Sequence, residues 1–416
     1  MDSVRIYRHI IFKWKMFCYK EIRYVLMKQI KIAAASDLHY ISPELTDHGE
    51  LFMRVVRTED AKLSECSDAI MEALTECIIR ENPDICIIPG DLTFNGERKS
   101  LEGCMEYLKK IRDAGIPVLV IPGNHDIANR HAAEYRGNAR IPAETISPEM
   151  FLSLAGEFGY ADAQEKDAYS MSYLFETEEL GILMLDANTR EYPGGIRPET
   201  LEWAEKVLQK SEERGIPVIS VTHQNVICQN PFMDRGFVLD NHQAVKVLLN
   251  KYHVPVNLSG HCHMMHTAVS GDLRDISVGS LMISPLHYGI LMMPEGKFET
   301  KRIGILEQEA YSRFREAVGA QIRKELDARI PGGEDNEKMA EFSVRANHAL
   351  FSGNTSLFAQ LRQDEVFDLW KKKAPDAFWL AYMKTYLCED REYGKDSADD
   401  LRSILFGRNK PFGKQE

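Results

Sequence analysis

The chain has 416 residues, 44% of them hydrophobic and 27% charged, enough apolar material for more than one core. A net charge of -12 argues against duplex nucleic acid as the main partner, because phosphate backbones are gripped by clustered Lys and Arg. Eight cysteines show no C-x-x-C pair and no framework spacing, which fits a reducing compartment, so a cytoplasmic location is expected.

Residues 1–26 hold six Lys or Arg against two acids, and charges interrupt every apolar run. The stretch lacks the continuous apolar core of a signal peptide and is too charged to span a bilayer; no transmembrane segment is expected. A basic interfacial helix is one reading of it. The reading preferred here is a basic extension, with the functional protein starting at Met27, because Lys28-Gln29-Ile30 runs straight into the first apolar run.

From residue 27 to 305 short apolar runs alternate with amphipathic stretches. Runs at 30–35, 85–89, 118–122, 218–221 and 254–258 read as buried strands. Stretches at 64–81, 101–114 and 200–214 carry a helical period and stop at Asn82-Pro83, Gly115-Ile116-Pro117 and Gly215-Ile216-Pro217. This alternation predicts stacked α/β layers. Between 128 and 168 it fails, and the segment reads as an elaborated loop with short helices over the site. From 306 to 416 the character becomes helical, with candidate helices at 306–330, 338–350, 357–373, 376–387 and 396–406. No Cys or His cluster lies there, so an all-α accessory domain without chemistry of its own, and with an unknown partner, is expected.

Each of the five apolar runs ends in polar residues: Asp37-Leu38-His39, Gly90-Asp91, Gly123-Asn124-His125-Asp126, Thr222-His223 and Gly260-His261-Cys262-His263. Strands that end this way deliver their side chains to the carboxyl edge of a sheet, where open α/β folds place their sites. The residue types suit two divalent ions ~3.5 to 4 Å apart, which can clamp a phosphoryl group and share a bridging hydroxide as nucleophile. Alone, each piece has a bland reading as a helix cap, a turn or a satisfied strand-end histidine. Together, in this order, they point to metal.

The five pieces resemble the calcineurin-like metallophosphoesterase superfamily, whose pattern is D-x-H, G-D, G-N-H-[DE], H and G-H-x-H, over roughly residues 28–305. The resemblance implies a four-layer α-β-β-α sandwich. It also implies that Asp37, His39 and His263 hold a first metal and Asn124, His223 and His261 a second, with Asp91 bridging both. His125 would face the scissile phosphate and Asp126 would orient His125 through its other ring nitrogen. Nitrogen and oxygen donors of this kind accept Mn, Fe, Zn or Co. Asn95, Arg130 and His131 are weaker substrate contacts, placed by proximity to the motifs, as are Tyr40, His48 and Asn225.

Departures narrow the branch. Leu92-Thr93-Phe94-Asn95 stands where protein phosphatases carry a phosphate-gripping Arg, and Phe94 stands where purple acid phosphatases carry a Tyr ligand. The motif flanks look most like the bacterial cyclic-nucleotide-phosphodiesterase-like branch, some members of which carry a C-terminal helical domain. The expected activity is hydrolysis of small phosphodiesters, cyclic nucleotides among them. The alternatives are a phosphomonoesterase, a nucleotide-sugar or lipid pyrophosphatase, or a non-catalytic scaffold on the same fold.

Overall fold

The computed structural model describes residues 28–58 and 61–388. The extension up to Met27 and the candidate helix at 396–406 lie outside the described residues. No described helix is long and apolar enough to cross a membrane.

Two sheets form the centre. The first has five strands in the order Lys297–Arg302, His287–Met293, Ile30–Ala34, Ile85–Ile88, Val118–Val120. Its last three strands are parallel, and His287–Met293 pairs antiparallel with both Ile30–Ala34 and Lys297–Arg302. The second sheet has seven strands in the order His266–Ser270, Leu273–Ser277, Val256–Ser259, Val218–Thr222, Gly181–Leu185, Tyr173–Glu176, Glu165–Lys166. The expected strands at 30–35, 85–89, 118–122 and 218–221 are therefore all present, and the one at 254–258 is shifted toward 259.

Strand alternation sorts the layers. In Gly181–Leu185 and Val218–Thr222, residues Ile182, Met184, Ile219 and Val221 join the first sheet in one apolar cluster. Leu183, Leu185 and Val218 face the other way, against Ala204, Val207 and Leu208 of the Pro198–Arg214 helix and Val245 and Leu249 of His242–Lys251. The first sheet is covered in turn by Ser67–Glu81 and Arg98–Asp113, through Ile70, Leu74, Leu101 and Leu108. Helices thus flank two stacked sheets in a mixed α/β fold of α-β-β-α layers.

The 128–168 segment departs from a loop over the site. Its first part is a hairpin, Ala133–Arg136 with Ala139–Pro142, resting on a small cluster with Phe52 and Phe94. Its second part is core, because Ile146, Phe151, Ala155 and Phe158 are fully or nearly fully buried in the main cluster. The apolar spacing of Pro148–Ala155 anchors it instead of leaving it free to close.

Helices Glu307–Arg329, Asn336–Phe351, Phe358–Arg362, Glu365–Lys373 and Phe378–Leu387 build a separate apolar cluster around Trp370, Phe342 and Phe367. The single helix expected at 357–373 is broken. Asp364 caps a new helix by accepting from the Val366 amide at 3.0 Å, which stops the preceding one. A further cluster ties this region to the α/β layers: Leu350 and Tyr382 pack on Cys262 and Met264, directly after His261.

Candidate metal centre

Every candidate ligand follows a buried strand. The Asp37 and Asp91 loops lie side by side, with the Asp37 amide donating to Gly90 O at 3.2 Å and the His39 amide to Asp91 O at 3.0 Å. Gly123 packs so closely that a Cβ there would overlap the Asp91 carboxylate, and a Cβ on Gly260 would overlap Ser36 and Asp37. Asp37, His39, Asp91, His261 and His263 all take left-handed backbone, with φ of 51°, 37°, 51°, 66° and 59°. Residues with a Cβ seldom sit there, and the dense packing around the loops holds them in place.

The donor atoms form two groups. Asp37, His39, Asp91 and His263 each offer one atom within 4.8 Å of the others, and so do Asp91, His223 and His261. In the first, His39 Nε2 lies 3.2 Å from His263 Nε2 and 3.7 Å from Asp91 Oδ2, while His263 Nε2 lies 3.4 Å from Asp37 Oδ1. In the second, His223 Nε2 lies 3.4 Å from Asp91 Oδ1 and 3.0 Å from Asn124 Oδ1. The amide oxygen of Asn124 thereby joins the second group. Asp91 belongs to both.

Ligands at ~2.0 to 2.2 Å from an ion stand ~3 to 3.6 Å from each other, so these spacings fit a metal in each group. The imidazole protons fit as well. A carbonyl can only accept, so His223 Nδ1 donates to Pro89 O at 2.9 Å, and Nε2 is the ring atom that faces Asp91 and Asn124. His261 Nε2 donates to Gly236 O at 2.7 Å, which leaves Nδ1 as the nitrogen available to an ion. His125 Nδ1 donates to Phe94 O at 2.9 Å, and its ring stands edge-on to His39 with centroids 4.8 Å apart.

That last contact corrects one expectation. The other ring nitrogen of His125 is held by a backbone carbonyl and not by Asp126. The Asp126 carboxylate instead accepts from the amides of Leu92, Thr93 and Gly123 and from the Thr93 hydroxyl, at 2.7 to 3.2 Å. It pins the Asp91 loop to the Asn124 loop. Three backbone carbonyls (Pro89, Phe94, Gly236) orient three imidazoles, and a carbonyl leaves no mark in a sequence.

The electrostatics are those of buried acids kept ionised by the imidazoles around them. Burial opposes ionisation of Asp91, yet the histidines around it, His223 first, hold it well below the usual carboxylate range. Asp37 is likewise lowered against its burial by His263 and His223. Burial holds His39 well below the ordinary histidine value, with the Lys62 charge next, and burial with the His223 charge takes His261 down to about 4. Burial also works against the His223 cation, but Asp91 and Asp37 lift it to about 9. Asp126 is pushed up to about 6, by burial first and by Asp91 second.

The weaker candidates separate. Asn95 is half-buried between Phe94 and Gly96, its amide bonded to Glu97. Arg130 and His131 are exposed on the loop after Asp126, where Arg130 Nε donates to His131 Nε2 at 3.3 Å, outside both donor groups. Tyr40 turns away to Asp68 at 2.7 Å, and the Asn225 amide bonds to Ser259 at 2.7 Å, so both serve the framework. The His48 ring stands edge-on to Phe52, centroids 5.5 Å apart. Asp275, with no motif around it, lies buried beneath the site. It accepts from the Val226 and Ile227 amides, Asn257 and Ser259, fixing the turn after His223.

Fold and donor set together define the class: an α/β sandwich with a candidate metal centre at its strand ends, gathered around one shared carboxylate. A family model described as calcineurin-like phosphoesterase matches residues 30–265, and the chain belongs to that family. It is 28% identical over 207 residues to a probable glycerophosphodiester phosphodiesterase of Arcobacter nitrofigilis, covering 48% of this chain and 66% of that protein. It is 23% identical over 236 residues to a 3',5'-cyclic-nucleotide phosphodiesterase of Nostoc sp., covering 56% of this chain and 71% of that one. The match thus spans about two thirds of these relatives' length. A dimetal phosphatase of Danio rerio, known from its crystal structure, is 15% identical, with a TM-score of 0.47 over 66% of this chain and 99% of that one.

Proposed function

We propose that this chain is a metal-dependent phosphodiesterase acting on small phosphodiesters, with 3',5'- or 2',3'-cyclic nucleotides and glycerophosphodiesters among its substrates. The observation that carries the reading is Asp91, one buried carboxylate common to two groups of converging donor atoms. Asp37, His39, His263 and Asp91 would hold one ion, and Asn124, His223, His261 and Asp91 the other. When bound, two such ions supply Lewis-acid activation of the phosphoryl group and of a water nucleophile.

The protein's own groups do the rest. His125 is anchored by its amide to Asp91 Oδ1 at 2.8 Å and by Nδ1 to Phe94 O, so Nε2 is the ring atom left for substrate. Protonated there, it donates to the leaving oxygen as the phosphorus–oxygen bond breaks and neutralises the developing alkoxide. Asp126 keeps the loops of Asp91 and His125 in register. The names of the two relatives differ in alcohol but share the diester, which favours diesters over monoesters here. We place the boundary of the catalytic unit near residue 305 and treat the helices after it as an accessory domain.

The test compares bis(p-nitrophenyl) phosphate with p-nitrophenyl phosphate on manganese-loaded protein, followed by a panel of cyclic nucleotides and glycerophosphodiesters. Faster turnover of the diester and of at least one panel member is expected. Faster turnover of the monoester than of every diester overturns the reading in favour of a phosphatase.

A further inference from the structure

Lys62 is 3% exposed, which is rare for a lysine. Its ammonium has no hydrogen bond, ion pair or ring contact among the described residues. Glu65, the nearest acid after it in the described chain, is taken by Arg313, which also donates to Lys62 O at 3.1 Å and so fixes the backbone. A lysine stem this buried holds its ammonium in a narrow range of positions, and with no anion of the protein beside it the charge is available to an anionic ligand.

The place of Lys62 identifies that ligand. The amide of the next residue, Leu63, donates to Met282 O at 2.9 Å. Two residues before Met282, Ser280 donates through its amide to His263 O at 3.3 Å and through its hydroxyl to Asp37 O at 2.9 Å. Leu281 donates to Ser36 O at 3.0 Å. The backbone next to Lys62 is therefore joined through residues 280–282 to the loops that carry Asp37 and His263. The Lys62 charge is also felt at His39, where it ranks next to burial in holding that imidazole neutral.

We propose that Lys62 is an anion-binding residue of the cleft, whose ammonium takes an oxygen of the substrate's phosphoryl group and keeps it on the released phosphate product. The proposal rests on the reading of the cluster as a phosphoesterase centre and adds a binding group that no motif contains. Lys62 stands 23 residues after His39 in a stretch without motif character, so sequence spacing gives no sign of it. A point charge on a flexible stem suits an oxyanion whose position shifts between substrate and product.

The experiment measures orthophosphate binding to the full chain loaded with manganese, by the rise in melting temperature with phosphate and by calorimetry, with metal content assayed alongside. Lys62→Met keeps the volume without the charge, and Lys62→Gln is a second variant should the first not fold. Both are expected to hold metal as the wild type does and to bind phosphate roughly 10- to 100-fold more weakly, the range for losing a charge-assisted hydrogen bond. Wild-type phosphate affinity in either folded, metal-loaded variant overturns the assignment of Lys62 alone. A wild-type chain that takes up no divalent ion overturns the metal-centre reading and the Lys62 assignment with it.

Discussion

The α/β layers and the helical region bury polar groups in opposite ways. In the layers, Asp37, Asp91, Asp126, Asp275, His39 and His223 are all at most 1% exposed, and most stand at strand ends where loops converge. Among the described residues of the helical region the buried polar ones are Asn336, Ser343 and Asn347, each bonded to its own helix or its neighbour. Strands that stop at one edge leave a cleft that polar side chains from distant segments can share. Packed helices satisfy their backbones internally and leave no such convergence. The helical region matters to the site through its weight: Tyr382 stacks on Phe378, and both rings meet Phe232, in the loop that supplies the Gly236 carbonyl to His261.

The sharpest way to break this contrast is Asp91→Asn. The variant loses the one carboxylate common to both donor groups, so activity should fall to background and metal content by about one to two ions per chain. Normal turnover and normal metal content in that variant would remove Asp91 from the shared position.

His125→Ala comes next. Its ring is held by the Phe94 carbonyl and stands edge-on to His39 without being one of the donors, so metal content should stay at the wild-type level while turnover drops roughly 10²- to 10⁴-fold. A smaller loss on p-nitrophenyl esters than on alkyl esters would identify proton donation as its main role, and equal losses would identify charge stabilisation.

Tyr382→Ala tests the helical side. Removing this buried ring should cost about 3 to 5 kcal/mol of stability by chemical denaturation. It should also weaken metal binding about 10-fold, as loss of a group that orients a ligand does. A lower stability with unchanged metal affinity would confine the helical region to holding the fold together.

The smallest effect is expected at Glu97, fully buried with one carboxylate oxygen unpartnered, its pKa pushed up to about 7 by burial. The native state therefore keeps this proton to higher pH than the unfolded chain, whose glutamates titrate near 4.5. Below that pH both states are protonated and the group costs nothing. As pH rises from 4.5 through 7, the cost grows to on the order of 3 kcal/mol and stays there. Glu97→Gln should thus stabilise the protein at pH 8 and leave it unchanged near pH 4, as read by urea denaturation. Equal stabilisation at both pH values would trace the effect to packing.

The sequence by itself determined the strands that carry the candidate ligands, the helices between them and the nine candidate site residues from Asp37 to His263 at their ends. Apolar runs and motifs are local patterns, and each reports on the segment that contains it. What only the tertiary structure decided is how those ends are held. The partner of the His125 ring is the Phe94 carbonyl, 31 residues away, and Asp126 serves as a clamp between loops. The hairpin and buried turn within 128–168, the break at Asp364 and the seat of Tyr382 on Met264 depend on surfaces supplied by other parts of the chain. Lys62 is the extreme case. Its burial and its neighbours come from contacts with residues 282 and 313, and a lysine in a plain stretch of sequence gives no sign of either.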